Sequence, residues 1–265
     1  MAPISTSETT HKVLIMRSHR LIAQTIILLV GFSVITSTFA QTPELSGVWQ
    51  SLWGGRGGPR YPTLASPDLV NEEPPLTQWG QDRFALAKPI HGPNPASATD
   101  SNAAELLCLP MGIPHAYFRP RPFEIIQLPD RVVMLFETDN FWRVIYTDGR
   151  EFPEIPLHTW NGYSIGHYEE ETLVIETRYF IGWESEQQQR WLDRLGWPHS
   201  DELRLTERII RIDEQTLQNN ITIDDPIAYE KPWNSSITYT SRDFELTEFI
   251  CQELMLSELP EMKPE

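Results

Sequence analysis

The chain has 265 residues, with 21 Lys and Arg against 37 Asp and Glu, and a formal net charge of −16. A surface this acidic repels phosphate backbones and anionic lipid, which argues against nucleic acid as a partner and favours neutral or cationic small molecules. The length supports one sizeable core, and a β-rich domain can use it as a single unit.

Residues 1–40 read as a secretory signal. His11, Lys12, Arg17, His19 and Arg20 give a basic start, "LIAQTIILLVGFSVI" is an apolar run, and "TSTFA" ends in small residues with Thr38 and Ala40 at the cleavage positions. Cleavage after Ala40 would leave a periplasmic or secreted protein with no membrane attachment. The alternative is an uncleaved anchor, because the run approaches spanning length. Three of the basic residues and one of the acidic ones lie in this segment, so the remainder carries a net charge of −18.

Thirteen of the 22 prolines fall between Pro43 and Pro122. Proline lacks an N–H and fixes φ, so long regular elements are not expected there. Residues 41–122 read as a Pro-rich arm packed on the following domain. One short helix is predicted at 76–88, with Thr77 as cap and Pro89 as stop.

From Phe123 the pattern changes. "FEIIQL", "VVMLFET", "FWRVIYTD", "GYSIGHY", "TLVIETRYF", "LRLTERIIRI", "TLQNNITID", "SITYTS" and "ELTEFICQE" are short, β-branched or aromatic, and mostly alternating. Turn signals separate many of them, which predicts an antiparallel meander. So many strands exceed what a flat sheet holds easily. Residues 123–265 are therefore expected to close into a lipocalin-like β-barrel, with a two-sheet β-sandwich as the alternative. Residues 181–202 interrupt the meander. They are expected to form a short helix and turn, as a lid at the barrel mouth.

Cys108 and Cys251 are the chain's two cysteines. In an oxidising compartment they are expected to form a disulfide between the pre-barrel segment and the last strand, the alternative being two buried thiols.

The stretches "PFEIIQLPDRVVMLFE", "RVIYTDGR", "WNGYSIGHYEEETLVIET", "WLDRLGWPHSDELRLTERIIRID", "TIDDPIAYEKPW" and "ELTEFICQE" resemble an uncharacterised family of exported bacterial proteins. The similarity covers about 123–254, with "LSGVW" and "CLPMGIPH" before it. In that family the W-x-G-x-S-x-G stretch is followed by a Gly-Asp turn, where this chain has Glu170 and Glu171. The resemblance implies one compact exported domain and no particular activity.

Three sets of residues could carry chemistry. Asp193 and His199 could form an acid–base pair, since imidazole titrates near neutral pH; equally, both could serve local structure. Glu207 shares a strand face with Leu203, Leu205 and Ile209, and Glu137 shares one with Val133 and Leu135. A carboxylate turned to a core needs a partner, and Arg143 and Arg208 are candidates from neighbouring strands. Reversed register, or an ion pair at a barrel end, is the structural alternative. Finally, aromatics cluster near polar groups, and Arg143, Tyr146, His158, Trp160, Tyr163, His167, Trp191 and Trp197 are candidate ligand-binding residues, a mixture that suits a small-molecule cavity as well as an ordinary core. No zinc, phosphate-loop or dinucleotide spacing is present, so no metal and no cofactor are expected. The expectation is a barrel that binds a small, partly apolar molecule. The alternatives are an enzyme using Asp193, His199 and Glu207, as a hydrolase, isomerase or cyclase, and an envelope structural or interaction protein.

Overall fold

The structure, a computed structural model, describes residues 42–51, 73–92, 94–183 and 189–251. The expected signal at 1–40, the "GGRGGPRYP" stretch and residues 184–188 of the insertion lie outside the described residues. Among the described residues, nine strands close into one barrel in chain order: β1 Gly47–Ser51, β2 Phe123–Leu128, β3 Arg131–Phe136, β4 Trp142–Tyr146, β5 Tyr163–Glu169, β6 Thr172–Arg178, β7 Arg204–Arg211, β8 Thr216–Asp224 and β9 Trp233–Arg242. The architecture is lipocalin-like. Closure is completed by β1, which pairs with both β2 and β9.

Alternation places the inward face. Leu205, Glu207 and Ile209 on β7, Leu217, Asn219, Ile221 and Ile223 on β8, and Trp233, Ser235, Ile237 and Tyr239 on β9 are all buried. On β3 the buried residues are Val132, Met134 and Phe136, so the face expected from Val133 and Leu135 is reversed. Glu137 lies beyond the strand end, where Arg121 and Thr247 donate to it.

Four sequence expectations are corrected. The first strand comes from the Pro-rich arm, where "GVWQS" is long enough to complete the barrel. The "ELTEFICQE" segment is not a strand over 245–250, because β9 already pairs with β1 and leaves no edge for it. The meander is not wholly antiparallel. A long connection, 147–162, carries the chain back along the barrel, so β5 runs parallel to β4, with Ile145 facing Ser164 and Tyr146 facing Ile165. The described part of the insertion, 189–202, is not helical. It is a tight loop in which Trp191 bridges to Pro198 and Leu192 N donates to Trp197 O at 2.7 Å. Asp193 Oδ1 accepts from Leu195 N at 2.9 Å and Gly196 has φ +92°, so turn chemistry overrides the helical composition.

The arm contributes helix α1, Gln78–Leu86, capped by Thr77, whose Oγ1 accepts from Gly80 N at 3.1 Å. Residues 111–118 are buried throughout. Within them a short 3₁₀ turn, His115–Phe118, sends Tyr117 among Phe123, Phe136 and Tyr239 of the barrel interior. Cys108 and Cys251 form a disulfide, which ties the arm to residues beyond β9 rather than to a strand. Among the described residues, no helix is long and apolar enough to cross a membrane.

Candidate binding site at the barrel seam

The parallel contact between β4 and β5 is the shortest ladder of the barrel, confined to Ile145–Ser164 and Tyr146–Ile165. Where the strands part, a groove of about 200 Å³ opens, lined by Trp142, Arg143, Val144, Tyr146, Thr159, Asn161, Gly162, Tyr163 and Ser164. Alternation turns Trp142, Val144 and Tyr146 outward from β4, and Trp142 is 64% exposed. The Tyr146 and Tyr163 rings stack at 5.4 Å. The Arg150 guanidinium lies 3.7 Å from the Tyr146 ring centre and is oriented by Asp148, whose carboxylate accepts from Nε at 2.9 Å and from Nη2 at 2.6 Å. Those hydrogen bonds hold the Asp148 carboxyl below its usual pKa. Asn161 Nδ2 donates to Trp142 O at 3.2 Å, while Asn161 Oδ1 is shielded from water and has no donor.

Behind this wall the barrel interior carries a buried polar network. Arg143 and Glu207 form an ion pair, with Nη2 to Oε2 at 2.5 Å and Nη1 to Oε1 at 3.1 Å. Tyr117 Oη donates to Glu207 Oε1 at 2.8 Å, and Asn219 Nδ2 to the same oxygen at 3.1 Å. Arg143 also donates from Nε to Ser164 at 3.1 Å and from Nη2 to Thr177 at 2.7 Å. One side chain of β4 thus reaches β5, β6 and β7, across the place where the backbone ladder is shortest. Burial alone would lower the Arg143 pKa, but Glu207 and Tyr117 raise it overall, so the guanidinium stays charged. Burial pushes the Tyr117 hydroxyl well up, which keeps it a neutral donor.

The structure brings only part of the sequence-derived set together. Arg143, Tyr146 and Tyr163 line the groove, and Glu207 backs Arg143. Asp193 and His199 do not form the expected acid–base pair. Asp193 accepts from Leu195 N within its turn, and His199 Nδ1 faces Ser200 O at 3.0 Å. Burial lowers the His199 pKa, and its ring packs edge-on to Phe180. Ser200 is fastened instead to Asp225, through N at 2.6 Å and Oγ at 2.7 Å. The remaining residues are dispersed. Trp197 stacks on Phe84 of α1 at 4.3 Å, and Trp191 Nε1 donates to Gln189. Trp160 lies under Arg190 at 3.8 Å, and His158 Nδ1 faces Phe180 O. His167 is exposed on the outer wall beside Glu169. The described part of the insertion, 189–202, is therefore packed against the core, and it supplies none of the described residues that line the groove.

Sequence reasoning missed Trp142, Asn161 and Tyr117. Trp142 had a signal, since an indole at an outward strand position beside "YTDGR" is exposed by alternation. Tyr117 had none, because its place in the interior depends on the path of an irregular segment.

A further cluster gathers where the arm meets the insertion. Glu105 pairs with Arg119 and lies 3.3 Å from His91 Nε2, and Arg194 contacts the same nitrogen. Burial would raise the Glu105 pKa, but the His91 hydrogen bond and the Arg119 charge hold it at about 2. Burial depresses His115 beside it to about 3, with Arg119 and Arg194 adding to the effect and Glu105 opposing it, and His115 Nε2 has no hydrogen-bond partner. Among the described residues, no group of three or more His, Cys, Asp or Glu is placed to hold a metal ion.

Comparison with protein-family models, with curated proteins and with solved structures finds no match.

Proposed function

We propose that this chain is an exported β-barrel protein that binds a small, partly apolar molecule in the β4–β5 groove, on the barrel wall rather than in its bore. The observation that carries the reading is the groove itself, where Trp142, Tyr146 and Tyr163 stand beside Thr159 and Asn161. Aromatic faces with a few polar groups are what small-molecule sites use. The Arg143 network supports it from behind by holding the seam in one geometry, so that the groove is preformed. The disulfide is compatible with export, as is the signal-like pattern of residues 1–40. Proton-transfer catalysis by Asp193 and His199 has less support, since the two residues have separate local partners.

The reading is tested by a thermal-shift screen of neutral small molecules. Compounds that raise the melting temperature of the wild type should lose most of that effect with Tyr146→Ala. Hits that stabilise the variant equally would place binding elsewhere.

A further inference from the structure

The groove is open on one side and sits on the outer wall of the barrel. A ligand held there keeps one side in water, unlike the deeply enclosed, largely apolar ligands of buried pockets. Such a ligand needs one face apolar enough to stack on an aromatic ring and a rim polar enough to stay hydrated. The lining matches both demands. Trp142 offers a broadly exposed indole, while Thr159 and Asn161 bring polar side chains. Asn161 belongs to this lining, and its Oδ1 has no donor, an acceptor left unpaired at a cost. A hydroxyl is the complementary group. Charge narrows the class further, because a chain with net charge −16 disfavours anionic ligands. At the rim, Arg150 is already neutralised by Asp148 and Arg131 by Asp130, so neither presents an unpaired cation.

We infer that the groove is a saccharide subsite: a neutral sugar ring stacks its C–H face on Trp142 and donates one ring hydroxyl to Asn161 Oδ1. Because Oδ1 is shielded as it stands, the Asn161 amide turns toward the groove as the hydroxyl arrives, exchanging its Nδ2 donation to Trp142 O for the new hydrogen bond. The outward-facing hydroxyls remain in water, where an all-apolar ring of the same size would leave half its surface exposed. This inference rests on the groove being the binding site, and it names the ligand class for that site.

The experiment is saturation-transfer NMR on the purified protein, with glucose, N-acetylglucosamine, cellohexaose and chitohexaose as probes and p-cresol as an aromatic alcohol. The same probes are applied to Trp142→Ala, Asn161→Ala and, as an exposed apolar residue away from the groove, Phe244→Ala. At least one saccharide should bind the wild type and Phe244→Ala equally, and bind Trp142→Ala and Asn161→Ala about tenfold more weakly. Circular dichroism and melting temperature establish that each variant is folded. Binding of p-cresol alone, lost with Trp142→Ala, would overturn the saccharide class and leave the groove as a binding site. A saccharide that binds Trp142→Ala as well as wild type would overturn the assignment to this groove. No binding by any probe would count against both the ligand class and the site.

Discussion

Arg143 and Glu207 show how one buried pair can hold a barrel closed. Both are fully buried, and besides each other the pair hydrogen-bonds Tyr117, Ser164, Thr177 and the Nδ2 of Asn219. Removing one partner leaves an uncompensated charge in the interior, so Arg143→Leu should cost about 3–5 kcal/mol in urea unfolding. Arg143→Leu combined with Glu207→Leu should recover part of that loss, because no charge is then stranded. A single variant as stable as wild type would show that the pair does not hold the seam. His115 gives a second expectation. The unfolded chain takes up a proton at His115 near pH 6.5, the folded chain only near pH 3. Stability is therefore full above pH 6.5 and lost as pH falls toward 3, at up to about 1.4 kcal/mol per pH unit. Glu105 acts in the same direction lower down. Its folded pKa of about 2 lies below the usual 4.5, so its contribution is present above pH 4.5 and lost as pH falls toward 2. His115→Gln should flatten the stability profile between pH 6.5 and 4.5. An unchanged slope there would mean that His115 is not held neutral by the fold.

Among the elements, the β5–β6 turn carries a local cost. Glu170 occupies it with φ +53°, a left-handed conformation that glycine adopts freely and a residue with a Cβ does not. Glu170→Gly should therefore raise stability by about 1 kcal/mol, measured by chemical denaturation; a loss of stability would mean that the side chain matters more than the backbone strain. The strands themselves were legible because alternation and turn residues coincide in "LRLTERIIRI" and "TLQNNITID", and helix α1 because Thr77 and Pro89 bracket it. Other elements were not. The return of β5 beside β4 depends on the course of 147–162, which has no periodicity to read. The insertion has helical composition, yet Asp193 and Gly196 impose a turn and Ser200 is clamped by Asp225 on the β8–β9 connection. The candidate site was partly visible for the same reason. Arg143, Tyr146 and Tyr163 stood out by type, but only the seam brings Tyr146 and Tyr163 together, and the long-range pairing that makes the seam is invisible in a local window.

Across the whole molecule, the barrel is assembled from distant parts of the chain. β1 closes it from within the arm, Tyr117 enters it from an irregular segment, and the Cys108–Cys251 disulfide links positions 143 residues apart. Cross-linking so long a loop restricts the unfolded chain, and removing it should cost about 2–4 kcal/mol, seen as a lower melting temperature under reductant. An unchanged melting temperature would show that the link does little for the folded state. The wall of this barrel, at the β4–β5 seam, is the proposed binding place for a small molecule. The most direct test is mass spectrometry of what the protein releases on denaturation after purification from its own cells, wild type beside Trp142→Ala. The expected result is a neutral small molecule released in about equal amount to the wild-type protein and absent from a folded Trp142→Ala. The same molecule in equal amount from both proteins would contradict binding at the seam.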